Sequence, residues 1–205
     1  MLAVADQTRP HAARRSRLVA SRSIRKGILI WSHVVAARYR CGMANWAEFV
    51  AGAPQVSETF LRRHAATGGL CMLATLRSDG SPRISPLEPR MFEGQLWLGG
   101  MPNTLKFRDL SRDPRFSLHT ATIDTHVSDG DAKLWGVVHK VQDLALHHRY
   151  ADWLFQETGF DLRGQAFTDF YASDLAGASS VEVGGGHLDI RIWKPGEPER
   201  VVRKH

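Results

Sequence analysis

A hydroxyl and, two residues on, a cation at the start of a short helix are the first residues here whose types and spacing point to chemistry. The stretch Leu96-Trp97-Leu98-Gly99-Gly100-Met101-Pro102-Asn103-Thr104-Leu105-Lys106-Phe107-Arg108 reads as strand, Gly-rich turn and helix. Gly99 and Gly100 end the apolar run where backbone can turn tightly or approach a ligand closely. Asn103 or Thr104 is an N-cap for the helix, which Asp113-Pro114 stops. Lys106 then lies in the first turn, the wrong end for a cation if the helix dipole is its only partner. An anion there removes the conflict. Unpaired backbone N–H groups, the Thr104 hydroxyl and the Lys106 ammonium make a phosphate cradle. The competing reading is a surface crossover with a stray lysine.

A second cation supports the cradle. Arg83 and Ser85 are two apart in the strand Pro82–Leu87 and share a face. If that strand pairs with Gln95–Leu98, then Arg83, Thr104 and Lys106 converge on one phosphate. Each charge-assisted contact contributes roughly 1.5–3 kcal/mol. The competing reading leaves Arg83 solvated.

Motifs for other chemistries are missing. There is no G-x-S-x-G, no H-E-x-x-H and no phosphate loop ending in G-K-S/T. The ten histidines are scattered, and His147-His148 are neighbours on a helix, which points them to different faces. No metal site and no catalytic side chain is assigned. A haem would need an axial ligand, for which His119, His126 and His187 are the only reasonable candidates.

The elements that must position the cradle are mostly strands. Ala44–Val50 and Ser57–Ala66 read as helices, with Val56, Phe60 and Leu61 on one face of the second and Arg62 and Arg63 opposite. Strands follow at Leu70–Leu76, Pro82–Leu87, Gln95–Leu98, Arg115–Thr120 and Lys133–Val141. Asp79-Gly80 is a hairpin turn, and Pro82 and Pro86 mark an edge or a bulge. Gly136 marks a bulge or barrel bend. Asp143–Gly159 is a helix packed on one side. Phe160–Leu175 is expected to contain a short second helix, and Ser179–Val183 and His187–Trp193 are final strands. Short turns between successive strands favour an antiparallel barrel over a parallel sheet.

Charge narrows the partners. The chain has 205 residues, 43% of them hydrophobic, a net charge of +6 and a pI near 9.7. Residues 1–42 carry nine Lys/Arg and one acid, a net +8, whereas 43–205 carry −2. The basic character therefore belongs to a leader, and no nucleic-acid partner is expected of the folded part. Residues 1–42 read as a targeting peptide, a basic tail, or a stretch outside the protein with the start at Met43, and the last is preferred. The folded domain is set at 43–205. No apolar run is long enough to cross a membrane. Cys41 and Cys71 give neither metal spacing nor a disulfide framework, so a reducing, cytoplasmic location is the simpler expectation.

Several motifs in order carry a resemblance: Gly80-x-Pro82-x-Ile84-x-Pro86, Leu96-Trp97-Leu98, Thr104-x-Lys106, Arg112-Asp113-Pro114-Arg115-Phe116-Ser117-Leu118 and the tail Ile190-x-x-Trp193-x-Pro195-Gly196. From about Ser57 to Val183 the chain resembles the pyridoxamine 5′-phosphate oxidase-like split barrels, which bind FMN or the deazaflavin coenzyme F-420. The resemblance implies a mainly β fold, a six-stranded antiparallel split barrel with peripheral helices. It also implies a homodimer with the cofactor in a groove between subunits. Residue by residue, Arg83, Ser85, Pro86 and Leu87 match the strand that lines the ring and phosphate. Gly99 and Gly100 match a pair often aromatic plus hydroxyl, and Thr104 and Lys106 match the phosphate-binding pair. Asp131, five residues before Gly136, falls where the oxidases have a cofactor-contacting Gln.

Departures redirect the function. Glu88 stands where the oxidases have Lys, Thr104-Leu105-Lys106 replaces Ser-Arg-Lys, and the C-terminal Arg-x-His is missing, although Arg191 lies near its place. Vitamin B6 oxidation is therefore not expected. The expected function is hydride transfer between reduced coenzyme F-420 or FMN and a small conjugated organic substrate, with haem disfavoured. Arg90, Arg108 and Arg112 are candidate cations for the deazaflavin's acidic tail. The alternative is a carrier of flavin, deazaflavin or haem without turnover of its own.

Overall fold

Local signals set the element boundaries in the computed structural model, which describes residues 42–205. Apart from Gly42, the basic leader lies outside them. Asn45 opens helix α1 (Trp46–Gly52) with a reciprocal capping box to Glu48. Pro54 occupies the first turn of α2 (Pro54–Ala66). Strands β1 (Cys71–Leu76) and β2 (Pro82–Leu87) form a hairpin across Gly80, whose φ is +83°. Then come β3 (Arg90–Phe92), β4 (Gln95–Gly99), α3 (Leu105–Arg112), β5 (Arg115–Thr120) and β6 (Asp131–Lys140). Asp143 caps α4 (Leu144–Thr158) by accepting from the Ala145 and Leu146 N–H groups, and left-handed Gly159 ends it. The described residues close with β7 (Phe170–Gly184), β8 (His187–Trp193) and β9 (Arg200–Lys204).

All pairings are antiparallel, in the order β2-β1-β5-β6-β7-β4-β3, and β8 and β9 extend the sheet from β7. The mainly β architecture with peripheral helices is as expected, with nine strands rather than six. Three local expectations are corrected. First, β2 does not pair with β4: the three-residue β3 takes that place, and β2 pairs only with β1. Pro82 and Pro86, which offer no N–H, suit that edge position. Second, the segment Phe160–Leu175 contains no helix but enters β7, whose first residues Phe170, Tyr171 and Ala172 are all buried. A strand covered on both faces shows no alternation to read. Third, α2 buries Val56, Phe60, Arg63 and His64 and leaves Leu61 exposed. Arg63 donates to the Ala121 carbonyl and meets Asp129, so its charge goes inside with partners.

Gly136 is the expected bulge. The β6–β7 register shifts between Trp135 and Gly136, and a Cβ at Gly136 would stand 2.0 Å from the Asp174 carbonyl oxygen. The core lies between the sheet and helices α1 to α3, around Phe49, Phe60, Leu73, Leu98, Phe107, Leu118 and Leu134. A second, aromatic cluster packs Trp97, Phe170 and Tyr150 beside α4, with the Trp97 and Phe170 rings stacked at 4.4 Å. Burying each such side chain contributes about 1.5–3 kcal/mol.

Candidate functional site

Helix α3 holds the cradle residues, and its buried face explains how it is held. Phe107 stacks on Tyr171 of β7 with ring centroids 5.7 Å apart, and Leu110 is buried beside it. Gly100 is glycine where a Cβ would press on the Phe107 ring at 3.3 Å, while Gly99 is the last residue of β4, opposite Phe170. Neither glycine takes a positive φ; the left-handed residue of the turn is Asn103, at +62°, a conformation Asn tolerates. The Asn103 N–H donates to Asp169, fixing the approach to the helix.

Asp109 is the electrostatic centre of α3. It is buried and accepts from the Thr75 hydroxyl at 3.0 Å, the Arg83 Nε at 2.6 Å and an Arg112 Nη at 3.2 Å. Burial pushes its carboxyl up, but the hydrogen bonds from Arg83, Thr75 and Arg112 outweigh that and hold it below the ordinary carboxylate range. Arg112 also donates to the Leu76 carbonyl. Arg83 is thus anchored through Nε, with its side chain 19% exposed. Sequence reading missed Asp109. Its signal was position: it is the one acid within α3, set between the buried Phe107 and Leu110.

One turn before Asp109, the Lys106 ammonium donates to the Pro86 carbonyl of β2 at 2.8 Å. Partial burial lowers its pKa, so a desolvated cation rests on a neutral partner, an arrangement that an anion would stabilise. Thr104 is the N-cap, yet its side chain caps nothing, and its Oγ1 is buried without a hydrogen-bond partner. Buried hydroxyls are nearly always bonded. The first N–H groups of α3 have no partner within the helix. An orphaned hydroxyl, free N–H groups and a partly desolvated ammonium within three residues fit an anion of the phosphate type.

The remaining expected residues divide. Asp109 of α3 holds Arg83 of β2, and the Pro86 carbonyl of β2 receives Lys106 of α3, so β2 meets α3 directly instead of through a β2–β4 pairing. Ser85 stands opposite Leu73 on the core-facing side of β2, and Leu87 is buried, so its side chain is unavailable to a ligand. Pro86 has no N–H and its carbonyl is taken by Lys106. Asp131 opens β6 and is not part of the cradle; it pairs with Lys133 at 3.3 Å and faces His119 at 3.6 Å. Of the extra cations, Arg112 is committed to Asp109 and Leu76, Arg90 pairs with Glu88, and Arg108 is exposed on α3. Among the described residues there is no cluster of metal-ligating side chains.

No protein-family model matches the chain, and no curated protein does. Solved structures do. A pyridoxamine 5′-phosphate oxidase-related, FMN-binding protein from Nostoc punctiforme is 12% identical with a TM-score of 0.53, over 75% of this chain and 96% of that one. ChuZ from Campylobacter jejuni is 11% identical with a TM-score of 0.52, over 67% of this chain and 61% of that one. A haem-binding protein from Mycobacterium smegmatis is 23% identical with a TM-score of 0.47, over 67% of this chain and 57% of that one. The nine-stranded antiparallel sheet with its peripheral helices thus shares its fold with the pyridoxamine 5′-phosphate oxidase-related, FMN-binding protein.

Proposed function

We propose that this protein binds a phosphate-bearing flavin-type cofactor, FMN or coenzyme F-420, and serves as an oxidoreductase for a small conjugated organic substrate. The observation that carries the reading is the start of α3: the partnerless Thr104 Oγ1 beside the partly desolvated Lys106 ammonium. Thr104, the first N–H groups of α3 and Lys106 would hold phosphate, with the Arg83 Nη groups as a second cation. The bound cofactor, when reduced, would supply the hydride, and the chain's part is to bind, orient and exclude water. In this reading a second copy of the chain covers the cofactor, as the family resemblance implies. A cytoplasmic location accords with it, and among the described residues no helix is long and apolar enough to cross a membrane. The expectation against haem gains no support, because a haem-binding protein is among the structural matches.

The test is a titration of the purified protein with FMN and with coenzyme F-420, read by cofactor fluorescence. Lys106→Ala should weaken binding about tenfold or more, as expected for loss of a charge-assisted contact of roughly 1.5–3 kcal/mol. Wild-type protein that binds neither cofactor, or a Lys106→Ala variant that binds equally well, would overturn the reading. A haem Soret band on titration in place of flavin binding would turn it toward the carrier alternative.

A further inference from the structure

Asp109 beside the cradle is held as a carboxylate by Arg83, Thr75 and Arg112 and offers no proton, but the neighbouring sheet carries a histidine that can. Residues opposite one another on paired strands share a face. Pro86 on β2, Met72 on β1, His119 on β5 and Lys133 on β6 form one such row. Their side chains lie on the face opposite the buried Leu73, Leu118 and Leu134. Two strand spacings, about 10 Å, separate His119 from Pro86, the residue whose carbonyl receives Lys106. A tricyclic ring whose phosphate is held at α3 can span that distance.

The surroundings of His119 fix its protonation. Nδ1 lies 2.5 Å from the Thr120 carbonyl oxygen, and Nε2 lies 3.6 Å from Asp131 Oδ2. A carbonyl only accepts, so Nδ1 is the donor there, and the carboxylate near Nε2 favours a proton on that nitrogen as well. The charged groups facing it are Asp131 and Lys133, both from β6; Met72 of β1 and Pro86 of β2 carry none. Lys133 pairs with the other oxygen of Asp131 at 3.3 Å. The Asp131 carboxylate beside it raises the His119 pKa above the ordinary value, against burial, which lowers it. At 3.6 Å the Nε2–H is held by charge and not locked in a hydrogen bond, and the side chain is 32% exposed. The proton is both retained and reachable.

We propose that His119 is the proton donor for reduction at this site and that Asp131 is the positioning residue that keeps its imidazole charged. This rests on the function proposed above. The substrate class that needs such a donor is an α,β-unsaturated carbonyl compound or a quinone. A hydride from the reduced cofactor forms the new C–H or O–H bond and brings two electrons, and the cofactor is oxidised by two. The negative charge left on the acceptor oxygen or its α-carbon takes the proton from His119 Nε2. The neutral imidazole then recovers a proton from water.

Two measurements test this. The first needs no cofactor: an NMR titration of the imidazole signals in wild-type and Asp131→Asn protein. His119 should titrate above an ordinary histidine in the wild type, and its midpoint should fall in Asp131→Asn. The second uses menadione and 2-cyclohexen-1-one as acceptors with cofactor-loaded protein. His119→Asn should keep cofactor affinity within about twofold while turnover falls about 100-fold, the usual lower bound for a lost general acid. Because the donor must be protonated, wild-type turnover should decline as pH rises through the raised pKa. Asp131→Asn should move that decline to lower pH, and His119→Asn should lack it. An ordinary His119 titration overturns the donor role alone, and so does His119→Asn turnover equal to wild type. Cofactor-loaded wild type that reduces neither acceptor also overturns it. Failure of wild-type protein to bind either cofactor overturns the proposed function and this role with it.

Discussion

Asp109 gathers two cations and a hydroxyl around one buried carboxylate, so the charge of α3 and its attachment to the sheet are a single feature. Arg83 was legible as a cation on the correct strand face. Its partner, 26 positions away, was not, because periodicity shows which face a residue takes and not what it meets there. Asp109→Asn keeps the size and one acceptor but removes the charge opposite Arg83 and Arg112. Breaking a fully buried pair costs about 3–5 kcal/mol. Here Arg83 is 19% and Arg112 42% exposed, so solvent screening reduces the expected loss to about 1–3 kcal/mol at neutral pH. The pKa of Asp109 is depressed in the folded state. Its stabilisation is therefore present above the ordinary carboxylate pKa and lost as pH falls through the depressed one. Urea midpoints should show wild type and Asp109→Asn well separated at pH 7 and converging in acid. A constant gap across that range would mean the charge is not the source.

Among the elements, β6 and β7 show what sequence can and cannot place. Gly136 signalled a bulge, and the bulge is there because β7 passes too close for any side chain, with the Asp174 carbonyl oxygen 2.0 Å from where a Cβ would stand. The start of β7 was hidden, since Phe170 to Ala172 are buried without alternation. Likewise β3 was too short to read and displaced the expected β2–β4 pairing. Arg83 and Lys106 both lie at the junction of β2 and α3 even so, because α3 itself reaches β2 through Lys106 and Asp109. Gly136→Ala meets backbone, which cannot swing aside as a side chain can. It should cost about 3 kcal/mol, at the upper end for overpacking, and lower the thermal midpoint accordingly. Gly80→Ala, at a φ of +83° with open space around it, should cost only about 1–2 kcal/mol, the penalty of a left-handed non-glycine residue. Equal losses at the two sites would mean that the bulge relaxes around a methyl group.

At the scale of the molecule, the two faces of the extended sheet differ. Beyond the barrel, β7, β8 and β9 align Asp131, Val181, Ile190 and Val202 in one row, with Val183 and Leu188 in the next. Toward β2 the same face carries Ile84, 68% exposed, opposite Ala74, with Ser117 between Ala74 and Trp135. The edge beyond them ends in charge, with Arg200, Arg203 and Lys204 on β9, which discourages further strand addition. Contiguous apolar surface on a sheet face is what a soluble protein ordinarily covers. In the function proposed above a second copy of the chain covers the cofactor, and this face, which also carries His119 and Asp131, is the one proposed for it. Covering the apolar strip and enclosing the cofactor would then be one event. Ile190→Glu places a carboxylate in the middle of the strip, and a buried unpaired charge costs far more than an exposed one. By light scattering after size exclusion, wild type should run as a dimer and Ile190→Glu as a folded monomer with an unchanged far-UV spectrum. The monomer should also lose cofactor affinity, although Ile190 is remote in sequence from Thr104 and Lys106. A monomeric wild type, or a dimeric Ile190→Glu, would remove this face from the assembly. A monomeric variant with wild-type cofactor affinity would show instead that the cradle on α3 and the edge of β2 is complete within one chain.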